Sequence, residues 1–153
     1  MENEATPIDP LMRSLATNVG EASASSNRNL FKLGSNGLSF CPVTPGGFFV
    51  GLVEMRERYH LSFGGLEETS ENIRSAIGLF LLALSPVCRL RVRVSRRDQI
   101  WTLSEWAHGY ERRILAECGY PLRGRSPVSD ETWTNQILTE KECLRLQRMF
   151  RCG

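Results

Sequence analysis

The stretch "FFVGLVEMRERYHLSF", Phe48 to Phe63, alternates in chemistry along much of its length. Val53, Met55, Tyr59, Leu61 and Phe63 fall on one side, and Glu54, Arg56, Arg58, His60 and Ser62 on the other. A period of two belongs to a half-buried β-strand, so the stretch predicts one long strand closed by Gly64 and Gly65. Glu57 interrupts the apolar side, which predicts a bulge there or a carboxylate at a rim beside an arginine.

The text that follows, "EETSENIRSAIGLFLLAL", changes period. Ile73, Ile77, Phe80, Leu81 and Leu84 recur at helical spacing. Thr69 or Ser70 is placed to cap the helix, and Glu67, Glu68 and Glu71 lie near its positive end. Pro86 stops it. A second alternating run follows, "CRLRVRV", with Cys88, Leu90, Val92 and Val94 inward and Arg89, Arg91 and Arg93 outward. "SRRD", carrying Arg96 and Arg97, reads as a turn, and "QIWTL" as a short return strand. "TLSE" has the form of a capping box from Thr102 to Glu105, which predicts a helix through Trp106, Tyr110 and Ile114 to Gly119. A second box, "TEKE" at Thr139 to Glu142, is flanked by Leu138 and Cys143, so the helical region expected from Ser129 onward divides into two short helices.

Strand, helix, strand with short loops favours a right-handed crossover that leaves the helix on one face of the sheet. The expected fold is therefore α+β: a small antiparallel or mixed sheet with helices packed on one face, ferredoxin-like or a similar open-faced sandwich, followed by C-terminal helices. Residues 1–37, with "GEASASSNRN" at their centre, are rich in Ser, Asn, Ala, Gly and Thr, which predicts a flexible tail ahead of one domain at 38–153. A short helix could form in that tail around "PLMRSLATNV", where Leu11, Leu15 and Val19 share a face.

The chain of 153 residues has a formal net charge of +2, but residues 86–125 alone carry +5. Lys32 and Lys141 are the two lysines among nineteen basic residues, and arginine is the cation that grips phosphate and carboxylate with a two-pronged fork. In the expected sandwich both strands turn their apolar sides to the helices. Arg56, Arg58, Arg89, Arg91 and Arg93 would then share the bare face, extended by Arg96 and Arg97. Such a face needs a counter-charge: an anionic partner, or carboxylates of the same chain.

The expected function is thus non-enzymatic, a small accessory protein that binds RNA or an acidic protein surface without strong sequence specificity. Contacts to the phosphate backbone carry no base information. A second copy of the chain is a further candidate partner, giving a homo-oligomer. The RNA-recognition motif shares the expected layout, yet it stacks bases on strand aromatics, where this chain has Glu54, Arg56, Arg58 and His60 and no comparable string. In its strand-then-helix succession, "FFVGLVEMRERYHLSFGGLEETSENIRSAIGLFLLAL" resembles the core opening of rhabdovirus matrix proteins over about a quarter of the chain. That resemblance implies a viral matrix-like adaptor acting through protein contacts; a proline-rich tail motif and a lysine-rich amino terminus are not part of it.

Catalytic and cofactor chemistry finds little to work with. His60 and His108 are the two histidines, and Asp9, Asp98 and Asp130 the aspartates, a small stock of general bases. His108 and Cys118 would stand nearly three turns apart on the expected helix, about 15 Å. Cys41 or Cys88 opposite His60 carries no distinguishing signal. "PGGFFVG" and "FGGLEE" lack the lysine and spacing of a phosphate loop. A small enzyme of unknown class remains the third alternative, with no metal or cofactor expected. Five cysteines without close pairs point to reduced thiols and an intracellular place, cytoplasmic, nuclear or virion-associated. The longest apolar run, Ala76 to Leu84, is about half what a membrane span needs.

Overall fold

The computed structural model describes residues 10–22, 31–34, 36–42, 46–124 and 127–152. Its elements run α1 (Pro10–Ala22), β1 (Phe31–Leu33), β2 (Gly37–Phe40), β3 (Val50–Met55), β4 (Arg58–Phe63), β5 (Leu66–Ser70), α2 (Ile73–Ala83), β6 (Cys88–Val94), β7 (Asp98–Ala107), β8 (Tyr110–Pro121), β9 (Ser129–Thr134) and α3 (Glu140–Met149). The chain is α+β. Among the described residues every strand pairing is antiparallel, in a five-strand meander ordered β1-β2-β3-β4-β5 and a four-strand sheet ordered β8-β7-β6-β9. The expected crossover within one sheet is replaced by a link between two: α2 leaves the edge of the first sheet and delivers the chain to the centre of the second.

The long strand expected at Phe48 to Phe63 is a hairpin. Arg56 and Glu57 form its two-residue turn, with φ of 48° and 67°, the doubly left-handed backbone whose twist matches paired strands. This turn explains the interruption at Glu57 and shifts the pairing. Tyr59, Leu61 and Phe63 point inward as expected, together with Val50 and Leu52, while Val53 and Met55 share the other face with His60 and Arg58. The carboxylates Glu67 and Glu68, expected at a helix start, lie in β5. The cap is Asn72, whose Oδ1 accepts from the backbone N–H of Arg74 at 2.9 Å and of Ser75 at 3.1 Å.

The helix expected from Thr102 to Gly119 is the β7–β8 hairpin. His108 and Gly109, at φ 53° and 80°, make its turn, and β8 is bulged twice, beside Leu103/Ser104 and beside Glu105/Trp106. Residues 129–134, expected as helix, are the edge strand β9. The box at Thr139 to Glu142 is real: the Glu142 N–H donates to Thr139 Oγ1 at 3.1 Å and the Thr139 N–H to Glu142 Oε1 at 3.0 Å. It starts α3 beside Leu138 and Cys143, both buried.

One core joins both sheets. Helix α2 packs on β3, β4 and β5 and reaches β6 and α3, burying Ile77, Phe80, Leu81 and Leu84. Gly64 and Gly65, the β4–β5 turn, seat against the second sheet: a Cβ on Gly65 would come within 2.5 Å of the Trp101 ring. Trp101 in turn stacks on Trp133 across β6, with centroids 5.9 Å apart. Asn135, also buried, ties the layers by exchanging hydrogen bonds with the Phe48 backbone and donating to the Ala83 carbonyl, each at 3.0 Å. Within the stretch expected as a tail, α1 buries Met12, Leu15, Ala16 and Val19 in this same core, with Leu11 packed against it. The expectation for residues 1–9, 23–30 and 35 lies outside the described residues. No helix among the described residues is long and apolar enough to cross a membrane.

Candidate nucleic-acid interface

Strand β6 is central in the second sheet, between β7 and β9. Its alternation therefore acts across three strands. Cys88, Leu90 and Val92 are buried beneath, and Arg89, Arg91 and Arg93 stand on the opposite face. Antiparallel pairing puts Ser104 and Thr134 beside Arg89, Thr102 and Thr132 beside Arg91, and Ile100 and Asp130 beside Arg93. The three arginines with Thr102, Ser104, Asp130 and Thr132 of these neighbours, and Trp106, Glu111, Ile114 and Glu117 of the β7–β8 hairpin, line a groove of about 520 Å³.

The three arginines differ in what holds them. Arg91 makes a two-pronged pair with Asp130: Nε to Oδ1 at 2.8 Å and a terminal nitrogen to Oδ2 at 2.5 Å. That hydrogen bond raises the Arg91 guanidinium above its ordinary value and holds the Asp130 carboxyl below its own, so the pair stays charged. The Arg89 guanidinium carbon sits over the Trp106 ring, 4.1 Å from its centroid, a cation–π contact. Trp106 is fixed by its indole N–H, which donates to Ser104 Oγ at 2.8 Å. Arg93 takes part in no ion pair among the described residues, which form three, at Arg58, Arg91 and Arg113. The floor is polar: Thr102 and Ser104 are buried, and the Thr102 hydroxyl donates to Glu117 at 3.0 Å.

Of the sequence-predicted arginines, Arg89, Arg91 and Arg93 come together, and Arg96 and Arg97 follow at the exposed β6–β7 turn. Arg56 and Arg58 do not join them. They belong to the β3–β4 hairpin of the other sheet, Arg56 in the turn and Arg58 in β4, 3.7 Å from Glu71. The shared face expected from two alternating strands fails because "MRER" bends into a hairpin. Sequence reasoning missed Trp106, Glu111, Glu117 and Asp130, all drawn from segments read as helix. The signal that could have found the first three is the dipeptide His108-Gly109 between Trp106 and Tyr110, a two-residue hairpin mark.

The thiols stand apart from this groove. Burial pushes Cys88 well above the ordinary thiol range and Cys143 up to about 11, so both stay protonated at neutral pH. No group of three or more His, Cys, Asp or Glu among the described residues could hold a metal ion. Compared with known protein families, curated proteins and solved structures, the chain matches none.

Proposed function

We propose that this protein binds RNA along the outer face of β6, holding the phosphate backbone and leaving base identity unread. The observation that carries this is the setting of Arg89 and Arg93. Both stand on an open groove, and neither is in an ion pair among the described residues. Four residues along a strand separates them by about 13 Å, a spacing suited to an extended polyanion and too wide for one phosphate. Backbone contacts of this kind release counterions, so affinity falls as salt rises.

Arg89→Ala with Arg93→Ala tests it. Binding of a short unstructured RNA, followed by fluorescence anisotropy at several salt concentrations, should weaken to a similar extent for every sequence tried. The slope of log affinity against log salt should fall by about 1.4, two phosphates at roughly 0.7 each on a single strand. Unchanged binding and slope would discard the RNA reading. Loss of capture of an acidic protein, with RNA indifferent to the change, would assign the face to a protein partner.

A further inference from the structure

The groove and the turn at its end differ in charge balance. Along the groove, Arg89, Arg91 and Arg93 meet the carboxylates of Glu111, Glu117 and Asp130, so the formal charges cancel. At the β6–β7 turn they do not cancel. The amide of Leu122 donates to the Arg97 carbonyl at 2.9 Å, which draws the end of β8 and the next residue, Arg123, against the turn that carries Arg96 and Arg97. One carboxylate, Asp98, belongs to this turn, and it is engaged by the Ser95 hydroxyl.

The turn is also braced by its own hydrogen bonds. The Ser95 N–H donates to the Asp98 carbonyl at 2.9 Å, and Ser95 Oγ accepts from the amides of Arg97 at 3.4 Å and Asp98 at 3.2 Å. Arg96, Arg97 and Arg123 are exposed, Arg96 and Arg97 on this hydrogen-bonded turn and Arg123 beside it, and no protein carboxylate pairs with them among the described residues. Order before binding lowers the entropy lost on binding, and guanidinium forks suit phosphate oxygens.

We infer that Arg96, Arg97 and Arg123 form the anchor for a run of phosphates, and that the β6 groove guides the strand away from it. The ligand class is a linear polyphosphate chain, with the RNA backbone as its source. The RNA part of this rests on the function proposed above; the phosphate site does not.

Two measurements on the full chain separate the ideas. In the first, inorganic tripolyphosphate is titrated while backbone amide shifts are followed by NMR. Amides of Arg96, Arg97, Asp98, Leu122 and Arg123 should move more than those of Arg89 to Arg91, and the triple variant R96A/R97A/R123A should lose the effect. In the second, the triple variant's RNA salt slope should fall by about 2, three phosphates at roughly 0.7 each. Circular dichroism establishes that the variant is folded. Shifts centred on the groove, or an unchanged slope in the folded triple variant, would overturn the anchor while leaving the RNA reading intact if R89A/R93A still weakens binding. Tripolyphosphate shifts at the turn without RNA binding would keep the anchor and remove RNA as its ligand. No response to either probe would overturn both.

Discussion

The two sheets carry arginine in opposite ways. In the first, Arg56 sits in a hairpin turn and Arg58 at the outward position next to it, and the remaining outward positions of β3 and β4 hold Gly51, Val53, Met55, His60 and Ser62. In the second, arginine occupies successive outward positions of the central strand β6. Both segments look alternating on paper. The difference lies in what precedes the arginines: "EMRER" runs five residues with one apolar side chain, whereas "CRLRVRV" never places two charges together. A strand that is buried on one face must keep returning to an apolar residue. A polar run such as "RER" is long enough for a tight turn, and a two-residue turn takes up its first pair. Alternation that is unbroken therefore reports a face, and alternation with a polar gap reports a bend.

The comparison stands on the sheets sharing one core, and the largest expected effect tests that. Leu81 is fully buried in α2, which packs on the first sheet and reaches the second. Leu81→Ala should cost about 2–5 kcal/mol, read as one cooperative urea transition. Two separated transitions, with the second sheet melting as in the wild type, would mean that the sheets fold as independent units.

Legibility in the sequence followed the range over which each signal acts. Strand β6 was readable because a period of two over seven residues needs nothing beyond the strand itself. The α3 cap was readable because Thr139 and Glu142 satisfy each other's amides locally. The same pattern at Thr102 to Glu105 misled. In β7, Thr102 and Ser104 are outward hydroxyls in the groove floor, and the spacing of Trp106, Tyr110 and Ile114 arises from a hairpin that folds back with two bulges. The face of Leu11, Leu15 and Val19 made a helix readable in the stretch expected as a tail, but its docking was not, because its four buried side chains find their partners only in the assembled core. The groove's carboxylates were hidden for the same reason. Asp130 reaches β6 through the pairing of a distant segment, β9, which no local period records, while Glu117 comes in across the β7–β8 hairpin, marked only by its turn.

A smaller effect concerns the counter-charge within the second sheet. Asp130→Asn should release Arg91 and raise RNA affinity a few-fold, with a salt slope steeper by about 0.7 because the freed guanidinium holds one more phosphate. The sign of the pH effect follows from the lowered Asp130 value. A carboxyl held low in the folded state adds stability at pH above its ordinary value, and this is lost as pH falls through the lowered one. The urea midpoints of wild type and variant should therefore differ most near neutral pH and converge in acid. Weaker RNA binding by the variant would show that Asp130 positions Arg91 for the ligand, where the pairing geometry has it competing.

The smallest expected effect addresses the first sheet's turn directly. Arg56 and Glu57 both hold a left-handed backbone, a conformation that costs a side-chain-bearing L-residue roughly 1–2 kcal/mol. Asparagine tolerates it better and glycine adopts it freely. The double change Arg56→Asn with Glu57→Gly should thus relieve strain, offset in part by the extra freedom glycine has in the unfolded chain, for a net gain of about 0.5–1 kcal/mol. In a domain of this size that is a rise in Tm of roughly 1–4 °C. The same variant removes one arginine of the sequence-predicted surface, yet its RNA salt slope should stay at the wild-type value, because Arg56 belongs to the other sheet. A stabilised protein with an unchanged slope confines the anion surface to the second sheet; a slope lower by about 0.7 would extend it across both sheets.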